Sequence, residues 1–257
     1  MNVKQAIRSF SVWSGIGLGT AAMYWSALPV FIATAPVDPR RRFGHWWAQR
    51  WGRMILRLNN RWASEVHDPE NVPTDRPVVM ISNHQGMGDI MMAFCLDLHF
   101  KWISKRANFF VPFMGWFMFH AGYIPLKRGD KKSVAECMEK AREYIRGGVS
   151  VLFFPEGTRS HDGVVKPFKK GAFQLAIETQ CDILPCGISG TLDALPKGTW
   201  LFSDEYTTMK ILVGKPIPTK GLTLGDLDAL IERCRDEVIR LKDRLDGVEE
   251  PRLRAVG

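Results

Sequence analysis

Apolar residues run almost without interruption from residue 9 to 37, a stretch without a charged side chain that carries Phe10, Val12, Trp13, Ile16, Leu18, Tyr24, Trp25, Leu28, Phe31 and Ile32. A helix needs roughly 20 apolar residues to cross the hydrocarbon core of a bilayer, so the segment predicts membrane attachment. It exceeds the ~7–15-residue apolar core of a cleaved signal peptide. Gly15, Gly17, Gly19 and Pro29 interrupt it, which leaves two topologies open: a single span, or a hairpin dipping into one leaflet. Residues 40–60 read as an amphipathic helix along the interface. There Arg40, Arg41, Arg42, Arg50, Arg53 and Arg57 alternate with Trp46, Trp47 and Trp51, a pattern foreign to a buried core helix. These cations outnumber Lys4 and Arg8, which predicts that the rest of the chain faces the cytoplasm.

After a proline-bearing loop at 68–75, the pattern breaks into short apolar runs separated by helical periodicities. Strands are predicted at 77–81, 102–104, 149–154, 183–187 and 210–213, and helices at 91–98, 112–119 and 171–179. Ser133-Val134-Ala135-Glu136 reads as a capping box opening a further helix, and Gly147-Gly148 as its stop. Leu224, Leu227, Leu230, Ile231, Cys234, Val238, Leu241 and Leu245 form the core stripe of a last amphipathic helix. Strands alternating with helices predict an α/β fold, a sheet covered by helices. The expected division is an anchor and interfacial helix at 1–62 and a single globular domain at 63–257.

The chain has 257 residues, enough for one sizeable core, and a net charge of +8. A basic surface suits anionic lipid headgroups, phosphorylated substrates or nucleic acid, and charge alone does not choose among them. Cysteines 95, 137, 181, 186 and 234 are odd in number and scattered, which predicts a reducing compartment rather than a disulfide framework. His45, His67, His99, His120 and His161 lack ligand spacing, so no metal is expected. Neither a Walker loop nor a Gly-x-Ser-x-Gly elbow is present, the stretch Gly187-Ile188-Ser189-Gly190-Thr191 included. Nucleotide and serine hydrolysis lose support accordingly.

The sharpest chemistry lies in Asn83-His84-Gln85-Gly86-Met87-Gly88-Asp89, just past a predicted strand. Residues five apart on a regular helix point different ways, so His84 and Asp89 pair only if His84 precedes the helix, a turn that Gly86 and Gly88 permit. A carboxylate there holds one imidazole nitrogen protonated and leaves the other as a base. That is the base-plus-orienter half of a catalytic triad without its nucleophile, which the substrate would supply as a hydroxyl. A second island, Phe154-Pro155-Glu156-Gly157-Thr158-Arg159-Ser160, follows another predicted strand and offers a glycine for close approach, a hydroxyl, and an arginine fork that matches phosphate. Lys101, Lys105, Arg106, Lys127 and Arg128 add charge, which taken singly reads as solvated.

Over roughly residues 65–220 the chain resembles the glycerophospholipid acyltransferase family, in particular its bacterial 1-acylglycerol-3-phosphate acyltransferases. Four blocks in order carry the resemblance: Asn83 to Asp89, Gly122 to Arg128, Phe154 to Ser160, and the proline-bearing Ile183-Leu184-Pro185. The resemblance implies a mixed central sheet flanked by helices, with the site at a rim and amino-terminal helices on the membrane. It implies His84 as general base on a glycerol hydroxyl and Asp89 as its orienter, with acyl transfer from a thioester of coenzyme A or acyl carrier protein giving phosphatidate. Another lysophospholipid or an amino-acid lipid is the alternative acceptor, and a non-catalytic membrane-binding module the alternative class. Arg128, Glu156, Gly157, Thr158 and Arg159 fall on acceptor-binding positions, with Lys105 as an added candidate. The implied partners are membrane lipids, lysophospholipid and the acyl donor, with no cofactor and no nucleic acid; the implied location is a cell inner membrane. The chain departs from the family in Gly86, where many members have Ser, and in Lys127, where an acidic residue is common.

Overall fold

The computed structural model describes residues 3–160, 162–194 and 199–248, so His161 lies outside the described residues. Within them one mixed sheet has the order β1-β7-β6-β2-β5-β3-β4. Its strands are β1 (Trp62–His67), β2 (Val79–Ser82), β3 (Phe100–Lys105), β4 (Ile124–Leu126), β5 (Ser150–Phe153), β6 (Ile183–Ser189) and β7 (Thr207–Val213). From β6 to β4 all neighbours are parallel, while β7 runs antiparallel to β6 and parallel to β1. Five strands therefore end on one rim. β2 and β5 are buried at every residue, as expected of parallel strands covered on both faces.

Alternate residues of these strands feed two separate cores. Met80, Leu152 and Leu184 point to one face, covered by α1 (Val3–Thr34), α2 (Arg42–Arg57), α3 (Gly88–Ala93) and α4 (Met114–His120). Val79, Ile81, Val151, Phe153 and Ile183 point to the other, covered by α5 (Lys131–Arg146), α6 (Gly171–Thr179) and α8 (Leu227–Asp246). The short α7 (Thr191–Ala194) follows β6 directly. On α8 the predicted stripe is buried from Leu227 to Leu241, each side chain contributing about 1.5–3 kcal/mol by leaving water. Leu224 instead sits exposed in a 3-10 turn before the helix.

α1 is unbroken and contains Pro29, so the hairpin alternative is not formed. Buried Tyr24 and Ala27 before the proline and Phe31 after it hold both halves against the body. The contacts run along its length: Arg8 pairs with Asp204 at 2.7 Å, Trp13 stacks on Phe202, Trp51 donates to Thr20, and Phe31 meets Phe117. The opposite face is bare, with Val3, Ile7, Phe10, Leu18, Trp25 and Ile32 each at least 59% exposed along one helical stripe.

Two other expectations change. The helix predicted to open at Ser133 starts at Lys131, capped by Asp130, whose carboxylate accepts from the Ser133 amide at 3.1 Å. That bond holds the Asp130 carboxyl below its ordinary range, and a charged cap suits the positive end of the helix dipole better than a hydroxyl. Lys101, read as a solvated charge, is completely buried.

Candidate active site

β2 delivers His84 to the rim four residues before α3 begins, and Asp89 lies in the first turn of that helix. The His84 Nδ1 sits 2.6 Å from Asp89 Oδ2. A carboxylate that also takes main-chain donors can only accept, so Nδ1 carries the proton and Nε2 is the free basic nitrogen. The same Oδ2 accepts from the amides of Gln85 (2.7 Å) and Gly86 (3.0 Å), and the Thr191 hydroxyl donates to Oδ1. Asp89 is fully buried, whereas the His84 side chain keeps 20% exposure. Phe154, the residue after β5, stacks on the imidazole with centroids 4.2 Å apart.

Glu156 is buried beside this pair. One carboxylate oxygen accepts from the His84 amide at 2.7 Å and the other from the Lys166 amide at 3.1 Å. Burial pushes its pKa up, opposed by those two hydrogen bonds. The Ser160 amide returns a bond to the His84 carbonyl at 2.7 Å. Glu156 thus clamps the histidine loop to the loop after β5. Gly157 adopts φ +70°, a left-handed conformation suited to glycine, and a β-carbon there would lie 2.6 Å from the Lys169 amine.

The remaining sequence candidates divide by distance. Thr158 and Arg159 are exposed two and three residues past Glu156. Lys105 ends β3 and Arg128 follows β4, on the same rim. With strands about 4.8 Å apart, these two are offset from β2 by about two and three strand spacings. Among the described residues Lys105, Arg128 and Arg159 make no side-chain ion pair, so their charge faces outward.

An apolar groove of about 550 Å³ opens at the β4 edge, lined by Tyr24, Phe109, Phe110, Trp116 and Phe119 with Arg106 beside them. A second cavity of about 890 Å³ lies beyond β6, lined by Ser189, Leu192, Glu205, Tyr206, Lys210 and Asp246 among others. Neither lining includes His84, which stands on the rim between them by strand order.

Sequence reasoning missed Thr191, Phe154 and Asn83. Asn83 exchanges two hydrogen bonds of 2.8 Å with the Ile188 main chain, fixing β6 beside the histidine loop. Thr191 then reaches Asp89 across 102 residues of sequence, which no local pattern reports. The absence of Ser at position 86 also has a spatial cause, since a β-carbon there would lie 2.7 Å from the Thr191 carbonyl oxygen.

Residues 63–189 match the family described as Acyltransferase. The chain is 38% identical over 182 residues to "1-acyl-sn-glycerol-3-phosphate acyltransferase LPAT1, chloroplastic" of Arabidopsis thaliana, covering 70% of this chain and 50% of that protein. It is 30% identical over 204 residues to the 1-acyl-sn-glycerol-3-phosphate acyltransferase of Saccharomyces cerevisiae, covering 78% and 66%. The chain thus spans about half the length of several curated relatives it matches. In fold it resembles the crystal structure of the 1-acyl-sn-glycerophosphate (LPA) acyltransferase PlsC of Thermotoga maritima, with a TM-score of 0.77, 22% identity, and 95% and 97% of the two chains covered. With the ordered blocks around His84 and Glu156 inside the matched region, the chain belongs to the acyltransferase family.

Proposed function

We propose that this protein transfers a fatty acyl group from a thioester to the free hydroxyl of 1-acylglycerol-3-phosphate, giving phosphatidate. The observation that carries the reading is the His84–Asp89 pair at 2.6 Å, with no hydrogen bond to Nε2 among the described residues. Nε2 takes the proton of the lipid hydroxyl as its oxygen forms a bond to the thioester carbonyl carbon. The tetrahedral intermediate collapses with cleavage of the C–S bond, and the imidazolium returns the proton to the departing thiolate. A positioned base of this kind contributes about 10²- to 10⁴-fold. Arg159, with Arg128 and Lys105 farther along the rim, supplies cations for the acceptor phosphate. The groove beside Phe109 and Phe119 takes an acyl chain, and coenzyme A and acyl carrier protein are both candidate carriers.

The membrane reading follows from α1. Because one face is packed against the body along the length of the helix, we infer that the helix lies in the interface and buries its bare apolar stripe in one leaflet. The matching location is the inner membrane of a cell, with the rim toward the cytoplasm. Replacing Phe10, Leu18, Trp25 and Ile32 with Gln should release the protein from vesicles, and full retention would reject the stripe as the anchor. Acyl transfer is tested by supplying purified protein with lysophosphatidate and either donor, and following thiol release and phosphatidate together. Thiol release without acylated lipid would reject lysophosphatidate as acceptor.

A further inference from the structure

We propose that Thr191 is a positioning residue for the dyad: its hydroxyl, admitted by Gly86, fixes the Asp89 carboxylate so that Oδ2 is presented to His84. Asp89 is 0% exposed, so each oxygen needs a protein donor. Oδ2 takes three, from His84 Nδ1, Gln85 N and Gly86 N, and all of them belong to the loop that the carboxylate has to orient. Oδ1 receives the Thr191 hydroxyl from the opposite side. The carboxylate turns about the Cβ–Cγ bond, and three donors drawn from one loop oppose that turn only at Oδ2. A donor on the other oxygen opposes it there as well.

The placement of Thr191 is independently fixed. It is 1% exposed and follows β6, whose Ile188 is tied to Asn83 by the paired hydrogen bonds next to the histidine. Its side chain occupies the crook between Gly86 and Gly88: β-carbons at those positions would stand 2.7 Å from its carbonyl oxygen and 3.2 Å from its methyl carbon. Gly86 and Gly88 thus do more than shape the turn. They leave the room through which a residue from a distant strand reaches the carboxylate.

The inference rests on the acyl-transfer reading, and the test separates the two. Full-length wild type, T191V, T191A and T191S are assayed in detergent with lysophosphatidate and an acyl thioester, and thermal unfolding is recorded for each. Both hydroxyl-free variants should lose about 10- to 100-fold in kcat, the scale of a hydrogen bond to a charged group. KM for both substrates should stay near wild type, and Ser should restore most of the rate. Equal kcat for wild type and either hydroxyl-free variant overturns the proposal alone, as does a Ser variant as slow as Val and Ala. Losses confined to KM overturn it too. A wild type without turnover overturns the acyl-transfer reading, and this proposal with it.

Discussion

Replacing Lys101 by Met should flatten the rise in stability between pH 7 and 8.5. The Lys101 ammonium is buried, with no carboxylate partner among the described residues, and donates to the carbonyl oxygens of Ala121 (2.8 Å) and Arg41 (3.3 Å). Burial pulls its pKa down to about 7, with Asp38 opposing and Arg41 adding to the drop. In the unfolded chain a lysine titrates near 10.4. Between those values the unfolded state holds a proton that the native state has released, so stability rises with pH. One pKa unit is worth about 1.36 kcal/mol, and starting from half-titration the rise from pH 7 to 8.5 is about 1.5 kcal/mol. Met keeps the volume but cannot titrate, and it leaves two carbonyls without that donor at a cost of about 1–3 kcal/mol. The assay is denaturant unfolding of both proteins in detergent at the two pH values. Wild type should gain about 1.5 kcal/mol more than K101M across the interval. Other groups cancel in the difference, including Cys137 and Cys181, whose thiols burial pushes up to about 11. Parallel pH curves would mean that Lys101 does not titrate near 7 in the folded protein.

Glu156→Gln should lower kcat by about 10- to 100-fold, because an amide cannot accept from both the His84 and Lys166 main-chain N–H groups; unchanged turnover would reject the clamp. Arg159→Ala should raise KM for lysophosphatidate by at least about tenfold while sparing an acceptor without phosphate, the loss expected of a charge-assisted contact. Equal losses on both acceptors would contradict a phosphate contact. Adding a side chain at position 86, in Gly86→Ala, should slow the reaction by pushing against the Thr191 carbonyl, which kinetics of that variant would show.

Much of this site was legible because the chemistry is local. His84 and Asp89 sit five residues apart with glycines between, so their pairing could be worked out from turn geometry before any strand order was known. The buried strands β2, β5 and β6 announced themselves as continuous apolar runs. What stayed hidden depends on neighbours far along the chain. β1 exposes Ala63, Ser64 and Glu65 and is a strand only because β7 pairs with it. β4 is three residues long on the other edge. Lys101 looked like its solvated neighbours because nothing nearby in sequence indicates that α4 and the loop after α1 close over it. Thr191 was invisible for the same reason: its only signal was the unexplained glycine at position 86.

The central claim, that His84 is the base of an acyl transfer, is tested most directly by comparing wild type and His84→Ala in one assay. Purified protein in detergent receives lysophosphatidate and an acyl thioester, and free thiol and phosphatidate are measured together. Wild type should give equimolar thiol and phosphatidate, and the variant a rate at least about 10²-fold lower with its thermal unfolding unchanged. Phosphatidate formed by a folded His84→Ala protein at near wild-type rate would contradict it.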